Sequence, residues 1–145
     1  MTKLERVAHI IQVKLIDLHG KIGVVSNGSG MCMATNDMIA AFGGTSSNFV
    51  DVGGSTDHEQ LEEILVLLDS NKNTNVILFN CFGGLLDLNI TAAIIEKVIK
   101  KKYLTKPLVI RLRGHNESEA HKRLIELQKE YKDLHVINNF TDAVE

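Results

Sequence analysis

A chain of 145 residues is long enough for one domain with a proper core, since ~68–70% of the unfolded surface is buried at that size. With 44% hydrophobic and 23% charged residues the chain is globular rather than disordered, and a net charge of −2 gives no support for nucleic-acid binding. No apolar run reaches the ~18–20 residues of a membrane span, the amino terminus lacks a signal peptide's apolar core, and the two cysteines suggest a reducing compartment rather than a disulfide framework.

Leu4 to Gln12 reads as a short helix, or as the remnant of an upstream linker, with Leu4, Val7, Ala8 and Ile11 on one face. Lys14 to Leu18 is a short strand or the lead-in to one. Ile22 to Ser26 (IGVVS) is compact and β-branched, as a buried parallel strand should be. Asn27-Gly28-Ser29-Gly30 follows, and Met31, Ala34, Met38 and Ala41 then recur at helical spacing until Gly43-Gly44. Asn48 to Val52 reads as the next strand. Thr56 with Glu59 forms a capping box ahead of a helix carrying Leu61, Ile64, Leu65 and Leu68.

Val76 to Asn80 (VILFN) is another strand, and the turn Phe82-Gly83-Gly84 follows it. Asp87 is placed to cap a helix marked by Ile90, Ile94 and Val98, whose last turn holds Lys100, Lys101 and Lys102 against the negative end of the dipole. Leu108 to Leu112 is the next strand. Asn116 with Glu119 is expected to cap a helix bearing Ala120, Leu124, Leu127 and Tyr131. Leu134 to Ile137 is a short strand, and Thr141 to Glu145 begins a final helix.

This alternation is the βαβ rhythm of an open parallel sheet with helices on both faces. Counted from Ile22–Ser26, the five strands fit a flavodoxin-like, doubly wound order 2-1-3-4-5. Ligands of such sheets bind beyond the carboxyl ends of the strands at the switch point, which both glycine-rich loops flank. Glycines let backbone N–H groups approach an oxyanion, a helix start adds its dipole, and Asn27 and Ser29 add side-chain hydrogen bonds. A phosphate or a carboxylate is the natural guest.

Other candidates at this edge are Asp51, Arg111, Arg113 and His115. Asp51 reads more simply as a turn cap. Cys32 and Cys81 each lie beside one of the loops; a reactive thiol is one reading, and a small buried hydrophobe is the commoner one. None of the six histidines has metal-ligand spacing. Neither a G-x-S-x-G elbow nor a GxxxxGK[ST] phosphate loop is present. The residues alone describe an anion-binding α/β domain without a nucleophile or base of its own.

Four segments carry a family resemblance: Gly20 to Ile39, Gly43 to Gly54, Ile77 to Gly84 and Lys106 to Ala120. In this order and spacing they resemble the C-terminal ligase domain of succinyl-CoA synthetase β subunits, collinear from about Val13 to the end. The resemblance implies a flavodoxin-like CoA-ligase domain over 13–145, with 1–12 as helix or linker and the nucleotide-binding ATP-grasp domain absent. The implied reaction is succinyl-CoA + phosphate + NDP = succinate + CoA + NTP, an acid–thiol ligation, the isolated domain being inactive.

The resemblance further implies an α-subunit partner that carries the phosphohistidine and binds CoA, with Mg2+ and ATP/ADP or GTP/GDP on the ATP-grasp part. Gly28, Ser29 and Gly30 match the family's phosphate contact, and Asn27 matches a substrate contact. Gly84, Leu85 and Leu86 match a second substrate contact shared between subunits. No catalytic residue and no metal ligand is expected in this chain. The implied compartment is the mitochondrial matrix in a eukaryote or the cytoplasm in a bacterium. One departure stands out: Leu85-Leu86-Asp87-Leu88 replaces the family's Ile-Val, polar or basic residue, then cysteine. An acid beside an anionic substrate, with the missing domain, motivates the alternative of a non-catalytic anion-binding or scaffold module.

Overall fold

Four parallel strands form the centre of the molecule. The computed structural model describes residues 1–52, 58–83 and 87–144. The elements run α1 (Lys3–Ile10), β1 (Leu15–Asp17), β2 (Ile22–Ser26), α2 (Ser29–Ala41), β3 (Asn48–Val50), α3 (His58–Ser70), β4 (Val76–Gly83), α4 (Leu88–Lys100), β5 (Leu108–Gly114), α5 (Glu117–Glu130), β6 (Leu134–Val136) and α6 (Phe140–Val144). The parallel sheet has the order β2-β4-β5-β6.

Alternation along these strands sends two sets of side chains to opposite faces. Val25, Phe79, Ile77, Ile110, Leu108 and Leu112 bury one face in a cluster with Leu65 and Leu68 of α3, Ile95 of α4 and Leu124 of α5. Val24 and Leu78 point the other way and meet Ile39 of α2 and Ala143 of α6. Helices therefore cover both faces, as a parallel sheet with continuous apolar strands requires. The order of the four strands puts β2 and β4 side by side, in register Ser26↔Asn80, so their carboxyl ends adjoin.

The expected five-strand ladder is not what forms. β3 pairs antiparallel with β1, Leu15 opposite Val50, in a separate two-stranded ribbon. The backbone on either side of β3 meets β2 in isolated parallel bridges, Ile22↔Ser46 before it and Ser26↔Asp51 after it. Asn48 explains the interruption. Its fully buried side chain accepts from the Val24 N–H (3.0 Å) and donates to the Val24 carbonyl (2.8 Å). A side-chain amide thus stands where a backbone rung would be, satisfying both polar groups of Val24 without a continuous ladder.

Two caps differ from the sequence reading as well. α1 opens with a capping box, Thr2 with Glu5, and the second Glu5 oxygen accepts from the Asp17 amide at 3.0 Å, tying α1 to β1. Asn116 does not cap α5. It adopts a left-handed φ of +67°, not the extended backbone from which an N-cap side chain reaches the first-turn amides, and makes no cap hydrogen bond. Glu117 takes up the turn instead, accepting from the Gly114 N–H at 3.2 Å. The Thr56 part of the other expected box lies outside the described residues.

Candidate functional site

The carboxyl edge of β2 and β4 brings the two glycine-rich loops together. β2 stops at Ser26, and the chain turns through Asn27 and Gly28 into α2. Gly28 is the N-cap residue with φ +84°, a conformation that L side chains rarely adopt, so the turn itself demands glycine there. No side chain caps α2, and its first turn carries no acid. Gly28, Ser29 and Gly30 are all exposed. The first-turn amides therefore face outward with the positive end of the dipole, an arrangement suited to an anion.

Gly30 differs from Gly28. A Cβ built on it meets nothing within 4 Å, and it has no left-handed φ. The fold has no need of a glycine at this position, where alanine is the better helix former. Gly83 is the opposite case: a Cβ there would lie 2.5 Å from Leu88 Cγ, so packing against α4 requires its small size. Across the sheet, Gly114 at φ +117° would press a Cβ to 2.7 Å from the Gly83 carbonyl oxygen.

The strand before the second loop is longer than expected. β4 runs on past Asn80, pairing Cys81, Phe82 and Gly83 with Leu112, Arg113 and Gly114 of β5. Phe82 and Gly83 are thus strand residues, held by a partner strand that runs on to Gly114, which the β4 sequence alone does not reveal. Gly84, Leu85 and Leu86 lie outside the described residues. Asp87 caps α4 as expected, its Oδ1 accepting from the Asn89 N–H at 2.9 Å. The acid that departs from the family pattern has a local structural task.

Several predicted residues do converge on the α2 start. Asp51 Oδ1 accepts from the Gly28 N–H at 2.7 Å. Asn27 bonds the Phe82 backbone twice, Nδ2 donating to the carbonyl (2.6 Å) and Oδ1 accepting from the N–H (2.7 Å). Behind them, Ser26, Asn80 and Arg111 form one row across β2, β4 and β5. Asn80 is buried; it accepts from Arg111 Nη1 (2.9 Å) and donates to Thr35 Oγ1 of α2 (3.0 Å). Arg111 Nε also donates to the Asn138 carbonyl at 3.2 Å. Burial, with Arg113 nearby, lowers the Arg111 pKa. Of this polar row the sequence reading names only Arg111, and the further signal for it is the Asn that closes the apolar run VILFN.

Other candidates fall away. Arg113 pairs with Glu117 at 3.4 Å. His115 gives its backbone N–H to the Gly83 carbonyl at 2.9 Å, and its side chain is exposed. Both thiols are free and buried. Cys32 Sγ accepts from Ser26 Oγ at 3.0 Å, and desolvation raises its pKa. Burial raises Cys81 well above the ordinary value. The geometry gives inert thiols, not a nucleophile.

The model of the CoA-ligase family matches residues 25–137, most of the chain. The chain belongs to the CoA-ligase family. This CoA-ligase chain is 34% identical over 143 residues to the succinate–CoA ligase (ADP-forming) subunit beta 2 of Archaeoglobus fulgidus, covering 99% of itself and 37% of that protein. It is 44% identical over 109 residues to the corresponding subunit beta of Cupriavidus necator, covering 75% of itself and 28% of that protein. The chain thus spans 37% and 28% of the length of these two curated relatives, about a third. Among solved structures, an ATP citrate lyase of Methanothrix soehngenii superposes with a TM-score of 0.74 at 19% identity, over 99% of this chain and 45% of that one. PH0766 of Pyrococcus horikoshii gives a TM-score of 0.68 at 16% identity, over 86% of this chain and 33% of that one. At such identities these two show a shared fold.

Proposed function

We propose that this domain is the ligase part of a succinate–CoA ligase β subunit, and that the α2 N-terminus receives the phosphohistidine of an α-subunit partner. The observation that carries this reading is the open start of α2: exposed first-turn residues, no side-chain cap, no acid within the first turn, with Asp51 engaged by the Gly28 N–H before it, and a glycine at position 30 that the fold itself does not need. The naming of the relatives as succinate–CoA ligase β subunits supports the choice of reaction.

In this reading Gly28, Ser29 and Gly30 stabilise the charge of the transferring phosphoryl group by fixed dipoles, without proton transfer. Asn27 borders the substrate, and Gly84, Leu85 and Leu86 supply the second contact. Nucleotide with Mg2+ belongs to an ATP-grasp part and CoA to the α subunit. β3, flanked by the bridges at Ser46 and Asp51, is read as the flavodoxin-like edge strand, the second in sequence and the outermost in the order 2-1-3-4-5. The test is assembly of the chain with an α subunit and an ATP-grasp part, followed by succinate- and NTP-dependent formation of the CoA thioester. Activity that needs all three pieces supports the reading. A folded assembly without turnover contradicts it and favours the anion-binding scaffold, as does turnover without the chain.

A further inference from the structure

The backbone ladder between β2 and β4 ends at Ser26↔Asn80. One further rung is nevertheless made, by a side chain. The Asn27 amide donates to the Phe82 carbonyl at 2.6 Å and accepts from the Phe82 N–H at 2.7 Å, the pattern a strand backbone would offer. At the next residue the chain swings to φ +84°, and the Gly28 N–H goes to Asp51 on the other side of β2. The turn that leads into α2 is therefore fastened to both flanks, to β4 by Asn27 and to the end of β3 by Asp51.

An asparagine side chain has two N–H donors and one carbonyl oxygen. Here one donor and the oxygen are engaged by Phe82. We infer that Asn27 is a positioning residue, a clasp that fixes the α2 start to the end of β4 so that the first-turn amides of α2 and the Phe82–Gly83 end of β4 hold one relative geometry. Asn27 then acts through the Phe82 backbone and governs phosphate docking at α2 as well as the substrate side of the site. A bare substrate contact would govern only the latter. The catalytic part of this inference rests on the proposed function.

Two measurements test it. In the 145-residue chain, Asn27→Ala leaves the Phe82 N–H without its acceptor and speeds its hydrogen exchange at least tenfold, with Phe79 in mid-β4 unchanged. Asn27→Asp keeps the acceptor but sets a carboxylate oxygen against the Phe82 carbonyl, so Phe82 protection falls between wild type and Asn27→Ala; this variant covers the case in which alanine disturbs folding. In the assembly with the α subunit and ATP-grasp part, NTP-driven phosphorylation of the partner's histidine needs no succinate. Asn27→Ala slows that half-reaction at least tenfold. Unchanged exchange at Phe82, or an unchanged half-reaction with only the KM for succinate raised, overturns the clasp. If the wild-type assembly forms no phosphohistidine, the proposed function fails, and the exchange measurement still decides the clasp.

Discussion

Replacing Gly30 by alanine separates what the fold needs from what a docked group needs. Gly30 sits in the first turn of α2, and a Cβ there faces open space with nothing within 4 Å. Glycine costs a helix roughly 0.5–1 kcal/mol relative to alanine. Gly30→Ala is therefore expected to stabilise the chain by up to about 1 kcal/mol, a rise in Tm of roughly 2–4 °C at this size. The same methyl group stands beside the exposed first-turn amides and obstructs an approaching phosphoryl group. Thermal unfolding should thus improve while phosphorylation in the assembly falls about two- to fivefold, the worth of an anion at a helix N-terminus. The contrast is Gly83→Ala, whose Cβ would lie 2.5 Å from Leu88 Cγ; overpacking of that kind costs about 1–3 kcal/mol. A Gly30→Ala chain that melts lower than wild type, or one that phosphorylates at the wild-type rate, refutes the reasoning.

Asn48→Ala strips both polar groups of Val24 of their buried partner, at about 1–3 kcal/mol for each group, and lowers the urea midpoint accordingly; a loss under ~1 kcal/mol would show that the amide is not the substitute rung. Hydrogen bonds from the Thr2 and Asp17 backbone hold Glu5 below its ordinary value of 4.5. A lowered folded-state pKa stabilises above the ordinary value and is lost as pH falls through the folded one. Protection of the Asp17 amide should therefore hold at pH 7 and fade below about pH 4.5, and Glu5→Gln should flatten that dependence. A profile equally steep in both proteins would assign the effect elsewhere. Cys32 and Cys81, buried and raised in pKa, should resist a thiol reagent at pH 8 in the folded chain and react fully in denaturant; rapid modification of either folded thiol would contradict their placement.

Where one local pattern decides the outcome, the sequence was readable. Ile22–Ser26 is a β-branched run between glycines, and it is a strand with those bounds. Asp87 before an apolar helical repeat is an N-cap. The Thr2/Glu5 capping box has the spacing of that motif, three residues apart, and forms as such. Long-range partners decided the rest. β4 continues to Gly83 because β5 offers it partners as far as Gly114. Asn48 reads as an ordinary strand residue until Val24, 24 positions away, claims its side chain. The site itself divides in the same way. The glycines at the α2 start announce an anion cradle, but the Asn27–Phe82 clasp spans 55 residues of sequence and leaves no periodic trace. Asn116 shows the converse error, where the right residue type for a cap was defeated by a left-handed backbone.

The central claim is that the start of α2 receives a phosphohistidine. Its most direct test is the affinity of this chain for the α subunit with and without phosphate on the partner's histidine. An anion at an exposed helix N-terminus is worth ~0.3–1 kcal/mol, so the phosphorylated form should bind about two- to fivefold more tightly at low salt, a gain that Gly30→Ala removes and high salt screens. Equal affinity for the two forms at low salt would contradict the account.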